Sequence, residues 1–542
     1  MRSLLVLAFL PTLIVLFYIE EDWRGSSELE KFKREWEAKG ENFDRDSIVP
    51  RSVPDDKNFA MSPVWIAELK RHYQTDPGRA EAWYGKRIYS NEVSNYFRLV
   101  PLSISAVFVT NDSSSLPNTP DTLGDWRLAR MTDLRPWQSY YRNLEQTNPS
   151  ASIAITPRPQ TPAQDVLLAL SKYDPLIERL RQDSQLPYSR FPIEYNAENP
   201  EFIFLTHLDA IRECADVLEL RAIAELQNGQ NGKALADANL MLGLADAIRT
   251  EPFEYSHEIR MDILQIALQP IYEGLANHEW SDSQLGELDS KLSKFDFLSD
   301  FKSSMRSEMI ISIHGSLEFL HHYPGHIFDM GPLRSGDDDT MSTPTSMACA
   351  IGNLIPAGWY CQNELHVDRA IEEFCLPVID TNHEILSPTS IDHAEADVEA
   401  DTRNVGPYNL IERCTSGLLV EGLWVAYGQN AANLARVAIA LERFRLVHGE
   451  YPDSLNTLAP AFTGRLPHDV INGQSLHYRR TVNGQFLLYS VGWNEKDDGG
   501  EVGIIKTDST NLPPYVDRRQ GDWVWRYPEN TRQISLTATS LK

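Results

Sequence analysis

The densest set of side chains that could bind a metal or move protons lies near the end of the chain. Residues 487–503 read LLYSVGWNEKDDGGEVG, so an apolar run is followed by a loop rich in oxygen donors. Asn494, Asp497 and Asp498 offer side-chain oxygens, and Asp522 can approach from the following segment. The loop is not an EF-hand, because the third position counted from Asn494 is a lysine and the twelfth is an isoleucine. Three interpretations stay open: a calcium site, a catalytic acid cluster and a solvated turn.

A second group of potential ligands occurs in HGSLEFLHHYPGH, residues 314–326. Spacings of three and four residues place Glu318 on the helix face that carries His314, His321 and His322. Transition-metal ligands can be arranged in this way, but the sequence lacks the HExxH pattern of zinc proteases. The otherwise apolar surroundings favour a structural or surface role for these histidines.

No sequence motif assigns a reaction to this chain. Cys361 and His366 suggest a cysteine nucleophile, but no flanking pattern supports it, and a separation of five positions on a helix pairs them poorly. A P-loop, a dinucleotide-binding fingerprint and a G-x-S-x-G elbow are also absent from the sequence. Pockets are assembled from distant residues, so the lack of a motif does not exclude an enzyme.

The composition is that of a globular protein, with 42% hydrophobic and 10% aromatic residues. A chain of 542 residues predicts more than one domain. The formal net charge of −27 would repel phosphates and argues against a nucleic-acid partner. It is compatible with cations or basic partners.

The N-terminal segment predicts a membrane anchor. SLLVLAFLPTLIVLFYI, residues 3–19, contains no charge, and a helix of 17 residues reaches roughly 25 Å, just enough for a bilayer core. Arg2 precedes this stretch and three acidic residues follow it, which predicts a single-pass helix in the cytoplasmic membrane with the rest of the chain outside the cytoplasm. A cleaved signal peptide is the alternative, but YIEEDWRG offers no small-x-small cleavage site.

The five cysteines are too scattered to organise the fold. Their odd number and the absence of a CxxC motif exclude a zinc knuckle and a disulfide scaffold. One or two disulfides and unpaired buried thiols are both compatible with the sequence.

Composition and periodicity divide the chain into an anchor at 1–22, a stalk and irregular region at 23–162, a mainly helical domain at 163–415 and an α+β module at 420–542. In the helical domain, two amphipathic runs between 203 and 249 flank NGQNG and predict an antiparallel helical hairpin. No second copy follows at a 34-residue period, so a repeat solenoid is not indicated. Ser281 and Gln284 predict a capping box at the start of a later helix.

Two polar inserts are predicted to interrupt the helical domain as loops. Residues 330–346 are turn-rich, and residues 392–401, DHAEADVEAD, form an acidic run. We expect the acidic run to be a solvated face.

The C-terminal module predicts one long helix and a β-hairpin. Apolar residues follow helical spacing over about 420–447, and Gly449 is placed to end the helix. SLHYRRTVNGQFLLYSVG then holds two strand-like runs joined by Asn483 and Gly484, the strongest short-range signal for a hairpin.

This module resembles the C-terminal part of the major pseudopilins of type II secretion systems. The matching stretches are ALERFRLVHGEYP (440–452), LPHDVINGQSLHYRR (466–480) and FLLYSVGWNEKDDGG (486–500), with GDWVW (521–525) as the loop-closing element. The resemblance implies calcium as a cofactor, bound in the acidic loop by Asn494, Asp497, Asp498 and Asp522. The chain departs from pseudopilins because its apolar segment lies some 400 residues before the module's helix and carries no prepilin cleavage site, so the resemblance does not imply assembly into a filament.

The rest of the chain resembles a family of membrane-anchored bacterial proteins without an assigned activity, through YEGLANHEWSDSQL (272–285) and GWYCQNEL (358–365). The preferred hypothesis is therefore a non-enzymatic, membrane-anchored interaction or assembly protein with protein partners. The alternative is an extracytoplasmic hydrolase whose site lies in the helical domain.

Overall fold

The computed structural model describes residues 2–72, 85–97, 103–104, 119–120, 123–148, 152–326, 346–403, 406, 408–409, 419–506 and 515–528. These residues form a mainly helical protein with small antiparallel sheets near the C-terminus, which confirms the coarse fold prediction. The helices of the first half are α1 Arg2–Glu37, α2 Arg45–Ile48, α3 Pro63–His72, α4 Asn91–Phe97, α5 Leu134–Thr147, α6 Pro162–Leu170, α7 Asp174–Asp183, α8 His207–Gln227, α9 Asn231–Ala247 and α10 Glu254–Ala276.

The second half continues the helical body and adds the strands. Its helices are α11 Asp282–Leu292, α12 Phe297–Glu308, α13 Gly315–His322, α14 Ser346–Gly352, α15 Ala357–Arg369, α16 Pro388–Thr402 and α17 Gly422–His448. Two π-helical segments, Met309–His314 and Ala370–Cys375, join α12 to α13 and extend α15. The strands are β1 His477–Arg480, β2 Phe486–Ser490, β3 Val502–Ile505, β4 Tyr515–Gly521 and β5 Trp523–Arg526.

The centre of the helical body is the predicted hairpin of α8 and α9, against which α10 packs. The turn between α8 and α9 contains Gly229 at a φ of +69°, a conformation that glycine adopts without strain. Ser281 and Gln284 form the predicted capping box at the start of α11, since each side chain bonds the other residue's backbone N–H.

The long helix α17 packs against α10, α11 and α12 and so lies inside the helical body. It ends at Gly449, whose φ of +83° places the residue in the left-handed region, as the sequence predicts.

The predicted hairpin is formed by β1 and β2, with His477 opposite Tyr489 and Arg480 opposite Phe486. The strand β5 pairs with the other edge of β2, so the sheet order is β1-β2-β5, while β3 and β4 form a separate antiparallel pair. Trp525 on β5 lies between Trp126 and Tyr272, with ring centroids 5.2 and 5.5 Å away. One hydrophobic core therefore continues across the predicted domain boundary at residue 420.

The N-terminal helix α1 crosses α15 at two glycines. A Cβ on Gly358 would lie 2.0 Å from the carbonyl oxygen of Glu21, and one on Gly25 would lie 2.4 Å from that of Gly358. The Gly358 N–H donates to Asp22 Oδ1 at 2.8 Å, and Tyr18 donates its hydroxyl to the Leu354 carbonyl at 2.6 Å. The later half of α1 is therefore part of the body.

The side chains of α1 are described from Pro11 onward, and among the described residues no helix combines the length with the mean hydropathy that crossing a membrane requires.

The acidic run at 392–401 was predicted to be a loop, but it is part of the helix α16. Ile391, Ala394 and Val398 are buried at helical spacing and pack on the core, so this apolar stripe fixes the helix while the acidic residues face outward. Within the region predicted to be irregular, 134–147 forms α5, which buries Trp137 and Tyr141. The insert predicted at 330–346 lies, apart from its last residue, outside the described residues.

Four cysteines, Cys214, Cys349, Cys361 and Cys375, are free thiols. Cys414 lies outside the described part of the chain.

Candidate functional site

The acidic loop lies between β2 and β3, and its backbone is hydrogen-bonded to Asp522, the residue that precedes β5. Both carboxylate oxygens of Asp522 accept backbone N–H groups, from Asp498 at 3.2 Å and from Gly500 at 2.6 Å. Asp522 is 1% exposed, and its own N–H donates to the Glu501 carbonyl at 2.8 Å. Burial raises the pKa of Asp522, while the two N–H donors oppose that shift. Asp522 therefore acts as a clamp on the loop.

The other predicted ligands also bond within the loop. Asp497 accepts the Tyr489 hydroxyl at 3.0 Å and the Gly499 N–H at 2.9 Å through Oδ1. Asn494 donates from Nδ2 to Asp498 Oδ2 at 2.8 Å, and its Oδ1 accepts the Lys496 N–H at 3.1 Å. These bonds shape the loop from its own polar groups.

The observed hydrogen bonds thus give four side chains the role of stabilising a closed turn: Asn494, Asp497, Asp498 and Asp522. Within the described ranges, the one group of three His, Cys, Asp or Glu residues whose ligand atoms converge lies elsewhere. The calcium site stays a prediction.

Replacing Asp522 by alanine is expected to lower the free energy of unfolding by about 2 kcal/mol, because two backbone N–H groups lose their acceptor and one of them is buried. Urea denaturation in EDTA measures the change. Asp498→Ala is the matched control, since this exposed carboxylate bonds one half-buried side-chain amide and its loss should stay within about 0.5 kcal/mol. A loss for Asp522→Ala that appears only with calcium present would contradict the clamp and favour the metal.

The sequence allowed, but did not favour, a metal-ligand arrangement at residues 314–322, and it is not formed among the described residues. His322 bonds the backbone carbonyl of Glu318 through Nδ1 at 2.9 Å, and the ring of His321 lies against Tyr360 at 4.9 Å. His314 lies on the π-helical segment that precedes α13. Helical spacing predicted a shared face, but the potential ligand atoms of these four residues do not converge in the described part of the chain.

His314 instead meets two carboxylates of α15. Its Nε2 lies 2.5 Å from Asp368 Oδ1, and its Nδ1 lies 3.7 Å from Glu364 Oε1. Lys33 of α1 completes the group, with Nζ 2.5 Å from Glu364 Oε1. Sequence reasoning missed Glu364 and Asp368, although their spacing of four residues on one helix face was a readable signal.

Charge pairing dominates this group. Burial disfavours the imidazolium, but the negative charges of Asp368 and Glu364 outweigh it and raise the pKa of His314. The same balance between burial and Glu364 raises the pKa of Lys33. Asp368 is fully buried, and its Oδ2 has no hydrogen-bond partner among the described residues.

An imidazole with two carboxylates is a ligand set that zinc uses, and an imidazole–carboxylate pair also orients general bases. Here Lys33 bonds the same Glu364 oxygen that faces His314, so the ionic group links α1, the π-helical segment and α15. This ionic group is best explained as a link that fixes the N-terminal helix to the helical body. The hydrolase alternative stays a prediction.

Cys361 and His366 both lie on α15. Burial, followed by the charge of Glu364, raises the pKa of Cys361, which disfavours the reactive thiolate.

Comparison with models of protein families, with curated proteins and with solved structures finds no match for this chain. The pseudopilin resemblance of residues 440–525 is therefore neither supported nor refuted by these comparisons.

Proposed function

We propose that the protein is a membrane-anchored, non-enzymatic interaction protein whose N-terminal helix attaches the globular body to the cytoplasmic membrane. The observation that carries the proposal is the exposure of the apolar residues at the start of α1. Leu13, Ile14, Val15, Leu16 and Phe17 are consecutive, and each is between 46% and 56% exposed.

Five consecutive residues cover every face of an α-helix, so no single apolar stripe is hidden here. A helix that is apolar all round is stable either inside a core or in a lipid phase. These residues continue the uncharged sequence that begins at Ser3, and Glu20 and Glu21 end it. A bilayer would remove this surface from water, and the acidic residues would mark its outer boundary.

The later half of α1 supports the same arrangement because it is fixed to the body. Leu29 and Phe32 pack with Leu365 of α15, and Lys33 pairs with Glu364. A firmly docked helix transmits the membrane attachment to the whole protein without a flexible linker.

The C-terminal sheet and the acidic loop supply a surface for protein partners in this proposal, as the pseudopilin resemblance implies. The extracytoplasmic orientation rests on Arg2 before the apolar stretch and on the three acidic residues after it.

Fractionation tests the attachment directly. Membranes from cells that produce the full chain are washed with high salt and then with alkaline carbonate, and the protein is expected in the pellet after both. Release by carbonate would overturn integral attachment, and appearance in the soluble fraction before any wash would overturn attachment altogether.

A further inference from the structure

A cleft of about 1080 Å³ opens on the side of the helical body formed by α9 and α11. One wall consists of residues from these two helices, and the other consists of the segments at 47–53 and 184–190. The second wall contributes apolar and aromatic side chains, including Tyr188, which is 48% exposed. The cleft therefore has one largely polar side and one partly apolar side.

The charge of this cleft is opposite to the charge of the protein. Two lining residues are acidic, Asp246 and Glu287, whereas six are basic in a chain whose net charge is −27. The basic residues are Arg51, Arg181, Arg190, Arg249, Lys291 and Lys294. A cationic cleft on an acidic protein concentrates the positive potential at one place.

Three of these cations are available for a ligand. Arg51, Lys291 and Lys294 form no ion pair with any part of the chain that the structure describes, whereas Arg181 pairs with the buried Asp237 and Arg190 donates to the Pro50 carbonyl at 2.8 Å. Burial and the neighbouring Lys294 lower the pKa of Lys291, and the charges of Glu287 and Asp246 offset this only in part. A negative partner would offset both effects.

A recess of about 40 Å³ deepens the cleft beside Gly243, Lys291 and Lys294. Arg260 and the acidic Asp246 both form part of its wall, and the Arg260 side chain is 1% exposed. The guanidinium pairs with Asp300 through Nη1, but its buried Nε finds no acceptor among the described residues. An unpaired donor at the base of a cationic cleft is suited to a carboxylate oxygen.

We propose that this cleft binds an extended acidic segment of a partner protein. One carboxylate of the segment is directed to Arg260, Lys291 and Lys294, and its other acidic residues lie along the cleft. The inference names the class of partner for the interaction role proposed above and rests on that role. Charge complementarity carries it, because an acidic segment is repelled by most of this surface and attracted here. The partly apolar wall provides contact for the segment's backbone and intervening side chains.

Binding of a fluorescein-labelled octaglutamate peptide to the detergent-solubilised full chain tests the proposal by fluorescence anisotropy. Lys291→Glu/Lys294→Glu is expected to weaken binding at least about tenfold, and added salt should weaken binding to the unaltered protein. Lys233→Glu/Lys86→Glu makes the same change in charge at exposed positions outside the cleft, and its affinity should stay within about twofold of the unaltered protein.

Gly243→Leu gives an independent variant that leaves the charge unchanged. A Cβ at Gly243 meets nothing within 4 Å, so a leucine side chain there starts in open space at the cleft, and it should also weaken binding at least about tenfold. Equal affinity for both double variants, or no binding by the unaltered chain, would overturn the proposal. Displacement of the peptide by inorganic phosphate at a similar concentration would overturn the peptide assignment and leave a small-anion site. Because the peptide assay needs no membrane, its failure is distinct from a failure of membrane attachment.

Discussion

Replacing Trp525 by alanine is expected to lower the free energy of unfolding by about 3–5 kcal/mol, the loss typical of a large aromatic side chain removed from a core. Trp525 is fully buried on β5 and contacts Trp126 and Tyr272 of the helical body. Tyr272 also donates its hydroxyl to the Arg526 carbonyl at 3.0 Å. Because the sheet and the helices share this core, we expect them to unfold in one transition, which circular dichroism and tryptophan fluorescence can follow together.

Trp23→Ala is the matched control, because Trp23 is 70% exposed and its loss should change stability by less than about 0.5 kcal/mol. Two separate transitions, with the early one alone shifted by Trp525→Ala, would show instead that the C-terminal module unfolds independently of the helices.

Replacing Gly358 by alanine is expected to release α1 from the body at a cost of about 3 kcal/mol, at the upper end for an overpacked contact. The added Cβ would lie 2.0 Å from the Glu21 carbonyl oxygen, and backbone on both sides leaves no side chain to move. The hydrogen bond to Asp22 and the pairing of Lys33 with Glu364 would be lost with the docked geometry. Hydrogen exchange should therefore become faster over 21–37 than in the unaltered protein.

Gly232→Ala adds the same methyl group to α9, where a Cβ meets nothing within 4 Å. It should be neutral or stabilising by up to about 1 kcal/mol, since alanine is the better helix former. Unchanged exchange over 21–37 in Gly358→Ala would contradict the glycine crossing.

Local signals in the sequence predicted the elements that local chemistry determines. Asn483 and Gly484 marked the hairpin, Ser281 and Gln284 marked the start of α11, and Gly449 marked the end of α17. In each case the deciding groups lie within a few residues of one another, so the spacing along the chain already contains the geometry.

The remaining features depend on partners that lie far apart in the sequence. Asp368 is 54 residues from His314, and Asp522 is 22 residues from Gly500, so local spacing could not show which groups bond His314 or that Asp522 accepts two backbone N–H groups. The helical spacing of Ile391, Ala394 and Val398 was present in the sequence and could have predicted α16. The many acidic residues between them favoured the prediction of a loop instead.

Flotation on lipid vesicles tests the central claim of membrane attachment through α1 most directly. The full chain is compared with Leu13→Asp/Ile14→Asp, which places two charges in the exposed apolar stretch, and with Val447→Asp/Val482→Asp, which makes the same change at exposed positions elsewhere. Each aspartate in the bilayer core is unfavourable by about 3 kcal/mol. The unaltered chain and the second variant are expected to float with the vesicles while the first stays at the bottom of the gradient. Equal flotation of both variants would contradict attachment through this helix.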